Sequence, residues 1–134
     1  MPNRDERPMR SVTIVLVAAA IGSACSAQRR LTERDVVGRF VYHSEDPGDR
    51  RSDHERDAIV LNADHTYVLT TGGSTKAVAL RMGRWKFADS TPTNQGGPEI
   101  VLETQGYPVR RSFPRGIVRL GIDDDTGIWF EKVK

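Results

Sequence analysis

Beyond Val37 the chain has no stretch in which apolar residues recur with the period of a helix, and turn-forming residues break it into short segments. No connection is long enough for a crossover helix, so successive strands are expected to pair antiparallel, as a meander. Strands are read at residues 37–43, 59–61, 66–71, 77–82, 83–87, 99–104, 107–112, 117–122 and 128–133. Gly38 allows close packing where the first strand begins, and Phe40 shares a face with Tyr42. Asn62-Ala63-Asp64-His65 carries the chemistry of a tight hairpin turn. The inward face is expected to switch near Gly83: Val78, Leu80 and Met82 are even-numbered, Trp85 and Phe87 odd-numbered, and a bulge or corner at Gly83 would re-aim the strand. Trp85 then points inward. About eight strands in this order tend to close, because closure removes exposed edges. The expected fold is all-β, an antiparallel meander in a small closed or partly open barrel. A brief helical turn precedes it, with Thr32 as N-cap and Asp35 as the reciprocal acid.

The start of the chain has a different character. Arg4, Arg7 and Arg10 precede an uncharged run, residues 11–24, rich in Val, Ile, Leu and Ala. These are the n-region and h-region of a signal peptide. A membrane-spanning helix needs about 18 apolar residues or more, and this run is shorter and ends in the small residues Gly22, Ser23 and Ala24. Cleavage is therefore expected, dividing the chain into a leader (1–24), a tether (25–30) and one domain (31–134). After the leader, acids and bases nearly balance, which points away from nucleic acid as a partner. A domain of this size folds alone while burying near two-thirds of its surface.

The chain's one cysteine, Cys25, directly follows those small residues and excludes an internal disulfide. Ile21-Gly22-Ser23-Ala24-Cys25 resembles the lipobox of bacterial lipoproteins. The resemblance implies that Cys25 is lipidated, becomes the mature N-terminus and holds the domain on a membrane. The alternative is an ordinary cleavage site with an incidental cysteine.

A second resemblance covers most of the domain. Leu61-Asn62-Ala63-Asp64-His65-Thr66-Tyr67, Gly83-Arg84-Trp85, Ile100-Val101-Leu102 and Leu120-Gly121-Ile122-Asp123 follow one another as in small lipocalin-like barrel lipoproteins. The chain is similar to the N-terminal barrel of the copper-resistance and envelope-stress lipoproteins. Because the matching residues are turn and core positions, the resemblance implies fold more than function. His65 stands where that family has a turn glycine, so a non-glycine residue is expected in the left-handed region. The family's early cysteine pair is absent, and a copper-thiolate role does not carry over.

No nucleophile elbow, zinc-protease motif, phosphate loop or dinucleotide fingerprint occurs, so a non-catalytic role is expected, with no cofactor. His43, His54 and His65 cannot share one site, because His65 lies roughly 17 Å away across a strand from the other two. In an up-and-down meander, residues 44–57 and 123–126 fall at the same end and gather an acidic rim. Asp53, Asp123 and Asp125 are its candidate ligands for a hard cation such as calcium, against the alternative of a solvated loop offset by Arg50, Arg51 and Arg56. Arg110, Arg111, Arg115 and Arg119 suit either a membrane-facing surface or plain solubility. Trp129 and Phe130 are adjacent and face opposite sides of a strand, so at least one lies outside the core. A barrel of this size is either filled or holds one small ligand.

The reading is a lipid-anchored module of the cell envelope, placed at the outer membrane facing the periplasm. It binds a small ligand or divalent cation, or else acts as a protein-interaction module such as a sensor, inhibitor or assembly accessory. Cys25→Ser should abolish incorporation of labelled palmitate and release the domain from the membrane fraction. Unchanged labelling and fractionation would remove the lipobox reading.

Overall fold

The computed structural model describes residues 29–74, 77–89, 97–113, 115–123 and 125–134. The leader, Cys25 and Asp124 lie outside the described residues. A four-residue helix, α1 (Glu33–Val36), leads into eight strands: β1 (Gly38–Ser44), β2 (Ala58–Leu61), β3 (Thr66–Thr71), β4 (Ala79–Ala88), β5 (Glu99–Leu102), β6 (Gln105–Arg111), β7 (Val118–Asp123) and β8 (Ile128–Lys132). A 3-10 turn at Arg51–Asp53 interrupts the β1–β2 connection. Each strand pairs antiparallel with its neighbours in sequence, and β8 pairs with β1, so the meander is a closed barrel. No helix among the described residues is long and apolar enough to cross a membrane.

Inward side chains of all eight strands, joined by Val36 from α1, form one apolar cluster. Phe40, Ile59, Ile100 and Leu120 have no accessible surface, and Tyr67, Trp85, Leu61 and Leu102 keep 1 % each. A lumen roomy enough for water would leave accessible surface on the residues lining it, so the centre of this barrel is filled. Trp85 donates its indole N–H to the Asn62 carbonyl at 3.0 Å, and its backbone N–H reaches the His65 carbonyl at 2.8 Å. The largest inward ring therefore carries no unpaired donor into the core.

Strand parity corrects one expectation. Residues 77–82 and 83–87 were read as separate strands meeting at a corner; most of that stretch is the single strand β4, with no change of face at Gly83. Gly83 pairs with Tyr67, Arg81 with Leu69 and Ala79 with Thr71, so the odd-numbered residues face inward along its whole length. Val78, Leu80 and Met82 point out and are 42 %, 66 % and 72 % exposed. The glycine serves a different need. A Cβ on Gly83 would lie 2.8 Å from Cε1 of Tyr67, so the phenol ring occupies the space that any side chain would take.

The β2–β3 turn closes as its composition demands. His65 takes φ 66°, the left-handed conformation. Asp64 accepts from the backbone N–H of Thr66 at 3.0 Å and from its hydroxyl at 2.6 Å. Those bonds hold the Asp64 carboxyl below its ordinary range. The β5–β6 connection is as short as expected but two residues earlier: it is Glu103 and Thr104 in place of residues 105–106, and Glu103 adopts φ 56°, because two-residue hairpins require positive φ.

α1 closes one end of the barrel. The Asp35 carboxylate accepts from the Thr32 N–H at 2.8 Å and the Thr32 hydroxyl at 2.9 Å, and pairs with Arg111 at 3.1 Å. Lys132 donates to the Asp35 carbonyl at 2.6 Å, and Glu33 pairs with His65. A Cβ on Gly38 would meet the Lys132 stem at 2.9 Å, so the glycine clears the path of that lysine. Burial alone would raise the Asp35 carboxyl; the Thr32 bonds and the Arg111 charge outweigh it and hold it lower.

Trp85→Ala should cost about 3–5 kcal/mol in chemical denaturation, the range for deleting a large buried aromatic. A loss below about 0.5 kcal/mol, typical of surface positions, would put the ring outside.

Candidate functional site

The end opposite α1 is the mouth, where the β1–β2 loop and the β7–β8 turn meet: the Glu45 N–H reaches the Gly127 carbonyl at 3.0 Å. The two acidic segments therefore share one end, as the meander implies. The 3-10 turn carries the loop away from β8 and across the mouth. Gly73 has no room for a Cβ, which would lie 2.1 Å from the Ser52 carbonyl and 2.6 Å from Cα of Asp53, and the Ser74 N–H binds the Ser52 carbonyl at 3.0 Å. Asp53 thus sits on the β3–β4 loop.

That placement separates the candidate cation ligands. Asp123 accepts from the Asp125 backbone N–H at 3.1 Å in the β7–β8 turn, and in a closed eight-strand barrel that turn lies across the mouth from the β3–β4 loop. Among the described residues no group of three or more His, Cys, Asp or Glu side chains is disposed to hold a metal ion.

What the loop does assemble is a node of four side chains. Tyr42, inward on β1, donates to Asp49 at 2.9 Å and stacks on His54 with ring centroids 4.2 Å apart. His54 Nδ1 lies 2.7 Å from Asp57 and Nε2 lies 3.5 Å from Asp49, so the imidazole stands between two carboxylates. Asp57 also accepts from the Gly72 N–H at 2.7 Å, and its carbonyl accepts from the Tyr42 N–H at 3.1 Å. Both carboxylates are largely buried, and each depends on these donors. Burial raises the Tyr42 hydroxyl, and the Asp49 bond and charge raise it further, to about 12. A concavity of about 550 Å³ beside the node is lined by Tyr42, Asp46, Asp49, Glu55 and Asp57 among others. Sequence alone puts Tyr42 on one face with Phe40 and does not single out this node. Its signal was the spacing Asp49, His54, Asp57 within one loop that must return to a strand.

Basic residues divide between the two faces. Arg111 points inward to Asp35, whereas Arg119 lies over the Trp129 ring at 4.1 Å and pairs with Glu131 at 3.1 Å. Trp129 is outside the barrel, as adjacency to inward Phe130 requires, yet it is 8 % exposed because His43 stacks on it at 4.6 Å. That aromatic is covered and offers no contact point.

Exposed apolar residues are gathered elsewhere, on the outer face of β1 to β4, while Phe113, Ile122 and Val133 are exposed singly off that face. Cross-strand pairing aligns Val60, Val68 and Met82 in one row and Val41, Ala58, Thr70 and Leu80 in the next. Arg39 borders the first row on β1. Leu80 and Met82 are its most open members.

No family model matches the chain, and neither a curated protein nor a solved structure is significantly similar to it.

The node predicts a particular alkaline response. The folded Tyr42 value of about 12 exceeds the ordinary 10.0, so its stabilisation is complete below pH 10 and lost as pH rises through about 12. Tyr42→Phe should cost about 1.5–3 kcal/mol at neutral pH, the range for a hydrogen bond to a charged group. The gap between the two proteins should close in denaturation series taken toward pH 12. A gap that stays constant over that range would mean the Tyr42–Asp49 bond contributes nothing.

Proposed function

We propose that this chain is a non-catalytic interaction module of the cell envelope, tethered through a lipid on Cys25, that meets another polypeptide with the outer face of β1 to β4. One observation carries this reading: the barrel interior is filled, while Leu80 and Met82 stand open on a continuous apolar face. Filling denies a small ligand the lumen that such barrels otherwise provide. A contiguous exposed apolar patch marks an interaction site. The tether enters beside α1, so anchoring would direct the mouth away from the membrane and leave the barrel wall free to meet partners in the periplasm. Small-ligand and cation binding keeps one foothold, the acidic concavity at the mouth.

Native mass spectrometry of the protein purified from its own envelope, set beside a Leu80→Glu/Met82→Glu variant, tests the choice. Both positions are exposed, so the variant should keep wild-type stability within about 0.5 kcal/mol. A co-purifying polypeptide present with the wild type and lost from the variant is the expected result. A bound small molecule or ion retained by both proteins, with no polypeptide, would overturn it.

A further inference from the structure

The barrel closes unevenly, and among the described residues the unevenness leaves part of a strand edge unpaired. β3 pairs with residues 79 to 84 of β4, whereas β5 pairs only with residues 85 to 88. The β5–β6 hairpin turns at Glu103 and Thr104, level with Gly83, so the upper arm of β4 has no ladder partner on that side among the described residues. Hydrogen-bond phase then decides which groups the edge presents. Trp85 N–H points to His65 on the β3 side, and backbone groups alternate along a strand. Arg81 and Gly83 therefore direct their N–H and C=O toward β3, while Leu80 and Met82 direct theirs outward from the edge. These two residues also carry the most exposed apolar side chains of the strand.

Resting on the interaction reading above, we propose that the upper edge of β4 receives one extended segment of a partner polypeptide by strand addition, and that this segment sets apolar residues opposite Leu80 and Met82 and an acidic one opposite Arg81. Main-chain pairing at Leu80 and Met82 supplies the attachment, and apolar residues opposite them continue the outer face. Charge decides the rest. β4 carries Arg81, Arg84 and Lys86 and no acid. Arg81 faces inward at the mouth, hydrogen-bonded to Tyr67 and attracted to Glu103, and the residue across from it would be in the close, non-hydrogen-bonded position, where Glu or Asp adds a further favourable charge and Lys or Arg repels. Arg81 also disfavours a second copy of this chain as the occupant, since antiparallel self-pairing centred on the free edge would set the two Arg81 side chains opposite each other.

Amide hydrogen exchange on the full chain, read at Leu80 and Met82, tests the proposal with the blocked peptide TIEVTVT, which sets Glu opposite Arg81, and TIKVTVT as its charge-reversed control. In dilute protein both amides should exchange fast while Ile59 and Leu61 stay protected. TIEVTVT at about 1 mM should slow Leu80 and Met82 about tenfold, and TIKVTVT should slow them far less. Slow exchange in dilute protein would mean the edge is already covered, and protection that grows with protein concentration alone would assign it to a second copy; either overturns the proposal. No response to TIEVTVT, or equal response to both peptides, also overturns it. If that happens while the Leu80→Glu/Met82→Glu variant still loses its co-purifying polypeptide, strand addition fails and the interaction reading stands.

Discussion

The whole barrel hangs on β4 serving two partners in succession. Its first six residues hold β3 and its last four hold β5, and only a strand of that length joins the two halves of the molecule. Because one residue parity runs through all of it, Gly83, Trp85 and Phe87 are committed to the interior and Leu80 and Met82 to the outside. The Trp85 ring then occupies the space where a lumen would be, and its donors are satisfied by the β2–β3 turn. Filling and the outward apolar face thus follow from a single strand, and the β1–β8 pairing completes closure.

The two ends of the barrel are built from opposite chemistry. At the α1 end, charges are paired across elements distant in sequence: Arg111 with Asp35, Lys132 with the Asp35 carbonyl, Glu33 with His65. Burial lowers the Lys132 ammonium, and the Asp35 charge works against that shift. At the mouth, one imidazole between two carboxylates ties a long loop to β1 and to the β3–β4 loop. Ordering such a loop has an entropic cost, and several buried polar bonds sharing one ring offset it. Among the described residues, neither the β1–β2 loop nor α1 pairs with the β4 edge.

Much of the fold was legible in the sequence, because the signals involved are local. Short connections dictate antiparallel pairing, Thr32 and Asp35 form the expected cap pair, and His65 takes the left-handed turn position. The corner at Gly83 was misread for a physical reason. A run of Val78, Leu80 and Met82 looks like a buried face when sequence alone is weighed, and only the pairing register shows that their odd-numbered neighbours point in. The candidate site was less legible still. Asp53, Asp123 and Asp125 do fall at one end, yet the 3-10 turn and the bare Cα of Gly73 draw Asp53 onto the β3–β4 loop. Whether two turns at one rim converge depends on loop path, which local chemistry does not encode.

Xenon binding followed through the methyl resonances of Ile59, Ile100, Leu102 and Leu120 tests the central claim, that the interior is filled and recognition belongs to the outer surface. Xenon enters empty apolar cavities and leaves close-packed interiors alone. The account predicts small, linear, unsaturable shifts at these four inward residues. A saturable response shared by them would reveal an accessible lumen and return the barrel to the class that binds its ligand inside.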